Sequence, residues 1–367
     1  MSKKVLHVVS ISFSLKYFIG DQFQYFKKKG YSFHVACSED DELFNLAEQY
    51  GFTPFPIPIV RSIDPLRDVK SIIALYNYIR KEKFDIVICH SPKGGLIGIT
   101  AAYLARTENR VFFRHGLVFE TLKGFKRKML IFIEKLTGAL ANKVVNVSSS
   151  IENIANKLNL NSIHKNILLG NGTCNGVDIH KYMYRKIDRD PQKIVVGFVG
   201  RLSKDKGIGE LIKAWQILIS RWENIDLMLV GPIDERDPLD EEVLRIISDN
   251  ETIKLVGAVK ETYSYYNEMD IFILPSYREG FPTVVLEASS SELPVITTKK
   301  TGCIDSIRSG ITGIFTDLTP MSIVLSIEFY LENPDKRSEH GKAGRIWMEE
   351  GFSESFIYRE ILNKVLS

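Results

Sequence analysis

Cysteine is scarce: the four in this chain, Cys37, Cys89, Cys174 and Cys303, have neither the density of a disulfide scaffold nor the close spacing of a zinc site. They read as free thiols, with Cys89 in a buried strand. The seven histidines are scattered and form no HExxH or carboxylate-paired motif, so no tightly held metal is expected. No apolar run approaches the roughly 20 residues that span a bilayer core, which predicts no transmembrane helix. The start, MSKKVLHVVS, passes from two lysines straight into a strand-like run without a signal-peptide core or cleavage site, and reads as a cytoplasmic start. Residues 5–18 lack GxGxxG, which weakens a dinucleotide oxidoreductase. GxxxxGK[ST] is also missing after the candidate strands, and no heptad or solenoid period appears.

Apolar residues make up 44% of the 367, enough for a sizeable core, and the length suits two domains better than one. The net charge of +3 conceals a division. Up to residue 190 there are 28 basic and 17 acidic residues, and after it 20 and 28. Such asymmetry fits nucleic acid, an anionic membrane or attraction between domains. No nucleic-acid motif or basic-aromatic reading strip accompanies it, so nucleic acid is not an expected partner. Lys123, Lys126, Arg127 and Lys128 are interleaved with Phe125, Met129, Leu130 and Phe132. That mixture suits an amphipathic face on an anionic membrane surface; a solvated helix start is the plainer account.

Strand-like and helix-like segments alternate along the chain. Strands are expected over 5–9, 32–36, 85–89, 110–113 and 143–147, with helices over 20–29, 42–50, 68–81, 95–106, 126–139 and 151–158. The turn-forming run at 171–176 reads as a loop. A charged stretch at 186–192 reads as a linker, and strands resume at 193–199, 225–230, 253–256, 271–274 and 295–297. The fold class is therefore α/β with two Rossmann-like, mainly parallel domains, 1–185 and 193–345. A helical segment at 346–367 carries aromatics that can pack back on the first domain.

Open α/β sheets bind ligands beyond the C-terminal ends of their strands. After the strand at 193–199 comes Gly200-Arg-Leu-Ser-Lys-Asp-Lys-Gly207. Its glycines permit close approach to an anion, and Arg201 and Lys206 can neutralise a diphosphate. Further on, Ser276-Tyr-Arg-Glu-Gly-Phe-Pro-Thr-Val-Val-Leu-Glu287 places Glu279 in a loop and Glu287 inside the following helix. The backbone at Gly280 and Phe281 and the helix start at Thr283 can approach a sugar or phosphate. On spacing alone, Glu279 is equally well a turn residue and Glu287 a surface position of an amphipathic helix.

These two segments together resemble retaining glycosyltransferase family 4: Glu279 to Glu287 matches its EX7E motif, and Val199 to Gly207 its phosphate loop. The resemblance extends through His90-Ser-Pro-Lys-Gly-Gly95, His115-Gly116 and Asn171-Gly-Thr-Cys-Asn-Gly-Val-Asp178. It is similar in particular to bacterial transferases of capsule, O-antigen or lipid-linked glycan assembly. The resemblance implies a GT-B fold, two domains facing across a cleft, with the acceptor bound mainly by the first and the nucleotide by the second. It implies Arg201 and Lys206 on the donor diphosphate and Glu287 on the ribose. Glu279 and the Gly280–Phe281 backbone then lie near the transferred sugar, which His115 helps to orient. Where the family commonly has GGxxxxG, this chain has Ser10-Ile-Ser-Phe-Ser-Leu-Lys16. Ser12, Ser14 and Lys16 can supply some polar contacts there, or simply join strand to helix.

The implied reaction is retaining transfer from a nucleotide-diphosphate sugar, a UDP-sugar for preference, to a hydroxyl of a polyprenyl-diphosphate-linked saccharide in bacterial surface glycan synthesis. The nucleotide-sugar is a co-substrate, and no cofactor is held tightly. The enzyme would be cytoplasmic and peripheral on the inner face of the membrane. A nucleotide-sugar epimerase of related fold and a noncatalytic glycan-binding protein are the alternatives; turnover with an acceptor separates transfer from both.

Overall fold

The computed structural model describes residues 2–59, 64–185, 190 and 192–367. Most of the expected linker at 186–192 lies outside the described residues. The chain forms two compact units, Met1–Asn175 with Ser355–Ser367, and Gly176–Glu354.

The first unit is a parallel sheet of seven strands: β1 (Lys3–Val8), β2 (Tyr31–Cys37), β3 (Thr53–Pro56), β4 (Ile86–His90), β5 (Asn109–Arg114), β6 (Lys143–Asn146) and β7 (Asn166–Leu168). Their order is β3-β2-β1-β4-β5-β6-β7. The chain starts in the middle, winds to one edge and returns to the other side, so direction reverses between β1 and β4. Central strands such as Ile86–His90 are buried along their whole length, which is why they read as continuous apolar runs rather than alternating ones. Leu6, Val8, Val87, Cys89, Ile97 and Phe112 form the centre of this core. All four cysteines are free and buried.

The second unit repeats the plan in six strands: β8 (Ile194–Val199), β9 (Ile225–Val230), β10 (Ile253–Gly257), β11 (Ile271–Leu274), β12 (Val295–Thr298) and β13 (Gly313–Thr316), ordered β10-β9-β8-β11-β12-β13. Phe198, Trp215, Leu229, Phe272 and Tyr330 are fully buried in its core.

Several local expectations change. The helix expected at 20–29 is the shorter Gln22–Lys27, and an unexpected helix, Phe13–Phe18, precedes it; the two are separated at Gly20, whose φ of +51° interrupts helical geometry. The helical segment expected at 346–367 falls on two helices, Pro334–Gly351 and Glu354–Lys364. Between them, Ser353 bridges Val177, and Val177 N–H donates to the Phe352 carbonyl. That pairing also ties residue 177 into the second unit, whereas the sequence places it in the first. Ser355–Ser367 belongs to the first unit: Tyr358 packs on Tyr25 and Phe26, and the Glu360 carboxylate accepts from Gly170 N–H. Strands β7 and β13, of three and four residues, are too short to show a period and are missed by pattern. Among the described residues no helix is long and apolar enough to cross a membrane.

Candidate active site

In the second unit, four loops meet at the C-terminal ends of neighbouring strands β9, β8, β11 and β12. Gly200, immediately after β8, has φ +146°, and its carbonyl oxygen occupies the space a Cβ on Gly231, after β9, would need. Gly207 has φ +70°, and a Cβ there would strike the Pro275 carbonyl at the end of β11. Tyr277 N–H donates to Asp205 O at 2.9 Å, and Glu279 N–H donates to Thr301 O, beyond β12, at 2.9 Å. Of the glycines in the expected phosphate loop, Gly207 is thus required by the packing of loop on loop and Gly200 by its positive φ, before any ligand is considered.

This packing brings Lys206 to Glu279 as an ion pair whose side chains are 14% and 15% exposed. Arg201 pairs with Asp234, which is nearly buried while Arg201 remains half-exposed. Both cations expected to serve a diphosphate are thereby held by carboxylates. Gly280 closes the same corner, where a Cβ on Gly302 would lie 2.5 Å from the Gly280 carbonyl oxygen. Phe281 is buried, its ring 5.5 Å from Phe352, which in turn meets Trp347 edge-on. Phe281 therefore offers its backbone rather than its ring. Thr283 opens the helix Thr283–Ser290 behind Pro282, with no side-chain cap; Val285 N–H donates to the Pro282 carbonyl, and the N–H groups of Thr283 and Val284 ahead of it suit an anion or water.

Glu287, in the second turn of that helix, is neither free nor on the surface. Its Oε2 accepts from Tyr266 Oη at 2.7 Å and from Thr262 Oγ1 at 3.3 Å, and Tyr182 Oη lies 3.1 Å from Thr262 Oγ1. Burial pushes the Glu287 carboxyl above its ordinary range, against the hydroxyls of Tyr266, Tyr182 and Thr262 and the charge of Lys181. Burial, then the Glu287 charge, raises the Tyr266 phenol. Sequence reasoning missed Asp234, Thr262, Tyr266 and Tyr182. Nothing in their spacing joins them to Arg201 or Glu287; only the tertiary packing does.

His115 belongs to the first unit, one residue beyond β5. Its ring stacks on Phe18 with centroids 3.7 Å apart and planes 9° from parallel. His115 Nε2 is hydrogen-bonded to His90 Nδ1 at 2.9 Å, and His90 Nε2 to His7 Nδ1 at 3.0 Å. Burial lowers His7 and His115 to about 3, and lowers His90 well below its ordinary value with help from its two neighbours. All three are neutral near pH 7. Ser12, offered by sequence as a polar replacement for the missing glycine loop, is buried and donates its hydroxyl to Asp40 Oδ2 at 2.5 Å. Ser14 and Lys16 sit within the helix Phe13–Phe18. Among the described residues no group of three or more His, Cys, Asp or Glu side chains is arranged to hold a metal ion.

Comparison with known proteins places these features in a family. Residues 18–165 match the model of Glycosyltransferase Family 4, and residues 183–347 that of Glycosyl transferases group 1. The capsular polysaccharide biosynthesis glycosyltransferase CapM of Staphylococcus aureus is 33% identical over 370 residues, covering 98% of this chain and 96% of the relative. A UDP-Gal:alpha-D-GlcNAc-diphosphoundecaprenol alpha-1,3-galactosyltransferase of Escherichia coli is 25% identical, covering 81% and 79%. Among solved structures, HepE of Anabaena in complex with UDP superposes with a TM-score of 0.80 at 17% identity over the whole of both chains. The two doubly wound sheets are those of the GT-B fold. With both halves matched by glycosyltransferase models and one-third identity to a glycosyltransferase along nearly its entire length, this chain belongs to the glycosyltransferases of group 1 and family 4.

Proposed function

We propose that this glycosyltransferase moves a sugar from a UDP-sugar to a hydroxyl of a polyprenyl-diphosphate-linked saccharide, with retention at the anomeric carbon, in the synthesis of a bacterial surface glycan. The observation that carries the reading is the pair of cations in the second unit, Arg201 beside β8 and Lys206 beside β11, each paired to a carboxylate. A nucleoside diphosphate is the ligand such a corner suits, because its oxygens can take over the charge that Asp234 and Glu279 neutralise in its absence. The names of the S. aureus and E. coli relatives support the capsule or lipid-linked context, and the UDP bound to HepE supports the nucleotide.

In this reading Arg201 and Lys206, with the N–H group at Thr283, stabilise the charge that develops on the leaving diphosphate. Glu287 receives the ribose hydroxyls, its carboxylate oriented by Tyr266 and Thr262. Glu279 and the Gly280–Phe281 backbone face the sugar, and His115 orients it through a ring hydrogen bond. The bond from the anomeric carbon to the phosphate oxygen breaks as the bond to the acceptor oxygen forms, and the acceptor proton passes to the leaving phosphate oxygen. The positive side chains supply the electrostatic support that a divalent ion provides elsewhere, so EDTA should leave most activity intact.

The first unit is the acceptor side, at the inner membrane face. The helix Gly124–Leu140 carries Phe125, Phe132 and Leu136 exposed at helical spacing, with Lys126, Lys128 and Lys135 exposed among them. Exposed aromatics within a basic face suit an anionic bilayer surface. The test is a screen of nucleotide-sugars against detergent-solubilised polyprenyl-diphosphate saccharides, with analysis of product and anomeric configuration. UDP release with a retained linkage is expected. An inverted product overturns retention, turnover of the donor to an epimer without acceptor supports epimerisation instead, and tight binding without nucleotide release overturns catalysis.

A further inference from the structure

His7, His90 and His115 lie on adjacent strands and climb toward the C-terminal edge of the first sheet. His7 on β1 pairs in register with Ile88 of β4, two residues before His90, and His90 pairs with Phe113 of β5, two residues before His115. A step of two residues per strand keeps all three side chains on one face, because the side-chain period of a strand is two. Their rings stack in turn, with centroids 5.3 Å apart for His7 and His90 and 5.2 Å for His90 and His115. At the outer end Phe18 covers His115. The inner end borders a cavity of about 10 Å³ lined by His7, His90, Gln22 and Ile361, room for one water at most.

A neutral imidazole has one N–H and one bare nitrogen. Each hydrogen bond in this chain runs from an Nδ1 to an Nε2 and needs a single proton between them. If His7 donates from Nδ1, His90 must accept at Nε2 and donate from its own Nδ1, so His115 accepts at Nε2 and carries its proton on Nδ1. The opposite order places every proton on Nε2. A mixed arrangement leaves one contact with two protons or with none, at the full cost of an unsatisfied buried polar group.

We propose that His7, His90 and His115 form one neutral relay in which the three rings share a single tautomer, and that His90 and His7 are positioning residues which decide whether His115 Nδ1 meets the transferred sugar as donor or acceptor. The catalytic part of this proposal rests on the reading of His115 as the sugar-facing residue. His115 Nε2 is taken by His90, so Nδ1 is the ring nitrogen left for a ligand. Burial that keeps all three rings unprotonated supports the same picture.

The experiment is long-range ¹H–¹⁵N correlation on protein labelled at histidine, near pH 7, with transfer kinetics on the same samples. In the wild type the three rings should show one tautomer, all Nδ1–H or all Nε2–H. His90→Phe keeps the stacking and removes both hydrogen bonds. It should shift the His115 ring nitrogens and lower kcat about tenfold while donor KM changes less than about twofold. His90→Gln, whose amide offers one acceptor and one donor, should restore most of that loss. Differing tautomers in the wild type overturn the relay, as does a His90→Phe protein whose His115 resonances and kcat match the wild type. Should His90→Phe fail to fold, the wild-type tautomers and the kinetics of His90→Gln decide. His115→Ala with undiminished transfer would sink the sugar-facing reading and its donor-or-acceptor role while leaving the shared tautomer standing; slow His115→Ala beside unaffected His90→Phe sinks the positioning role alone.

Discussion

Lys206 and Glu279, 73 residues apart in the chain, close an ion pair across the loops that follow β8 and β11. Two partners so little exposed depend on each other, because removing one leaves the other charge desolvated and uncompensated. Glu279→Gln should therefore lower the stability of the donor-free protein, and added UDP should raise its melting temperature more than that of the wild type by supplying the missing anion. Single-turnover transfer should slow by about 10- to 100-fold if the Glu279 contact strengthens as the glycosidic bond breaks. Calorimetry with and without UDP, beside rapid-quench kinetics, checks both halves; unaltered transfer removes Glu279 from the reaction.

Glu287→Gln should act on binding instead. The amide oxygen can still accept from Tyr266, so the helix and its surroundings should stay folded while the charge is lost. A strong ribose hydrogen bond is worth roughly 1.5–3 kcal/mol, which raises the donor Kd by about tenfold or more. Titration of folded variant with UDP measures this directly. Wild-type affinity would leave Glu287 as a support for Tyr266 and Thr262 only.

Two glycines on either side of Ile208, the first residue of one helix, should respond in opposite ways to alanine. At Gly207, φ is +70° and a Cβ meets the Pro275 carbonyl, so Gly207→Ala should cost about 1–3 kcal/mol or more and disturb the loop that carries Lys206. At Gly209, inside the helix Ile208–Leu218, nothing lies within 4 Å of the added atom. Gly209→Ala should stabilise by up to about 1 kcal/mol. Urea denaturation of the pair tests the assignment, and equal effects would contradict it.

Acid should weaken the first unit through its histidines. His7 and His115 are lowered to about 3 in the folded protein, against about 6.5 in an unfolded chain. The unfolded state therefore binds more protons between these values. The stability associated with neutral histidines is complete above about pH 6.5 and is lost as pH falls toward 3, at about 1.4 kcal/mol per pH unit for each titrating ring. Denaturation midpoints measured from pH 7.5 down to 5 should fall in the wild type and fall less steeply in His7→Phe. Parallel slopes would show that His7 titrates alike in both states.

Reversing charge at Lys126, Arg127 and Lys128 together should weaken association with anionic vesicles. Each basic residue near such a surface contributes about 1 kcal/mol, so the triple variant should lose at least about 100-fold in partition coefficient at moderate salt. Arg127 also lies over the Phe119 ring, so circular dichroism must first establish that the variant is folded. Unchanged vesicle binding by a folded variant would move the membrane contact elsewhere.

The order of strands and helices was legible in the sequence wherever an element was long or uniformly apolar. β9 and β11 occupy the ranges their composition predicts, because strands buried on both faces are almost wholly apolar, with Asp226 near the start of β9 the one charged residue. The glycine turn after β8 and the helix start after β11 were legible too, being local events, whereas the ligand roles of those segments came only from the family resemblance. Tertiary structure alone decided what those residues touch. Lys206 meets Glu279 and Arg201 meets Asp234 because β8, β9 and β11 are neighbours in the sheet, and Glu287 meets Tyr266 because the helices before and after β11 pack together. Strand order is set by long-range packing that no local period encodes. The histidine relay arose the same way: His90 and His115 were visible as motif residues and His7 as a strand residue, but their alignment depends on the parallel registers of β1, β4 and β5, which place three side chains distant in the chain on one face at hydrogen-bonding distance.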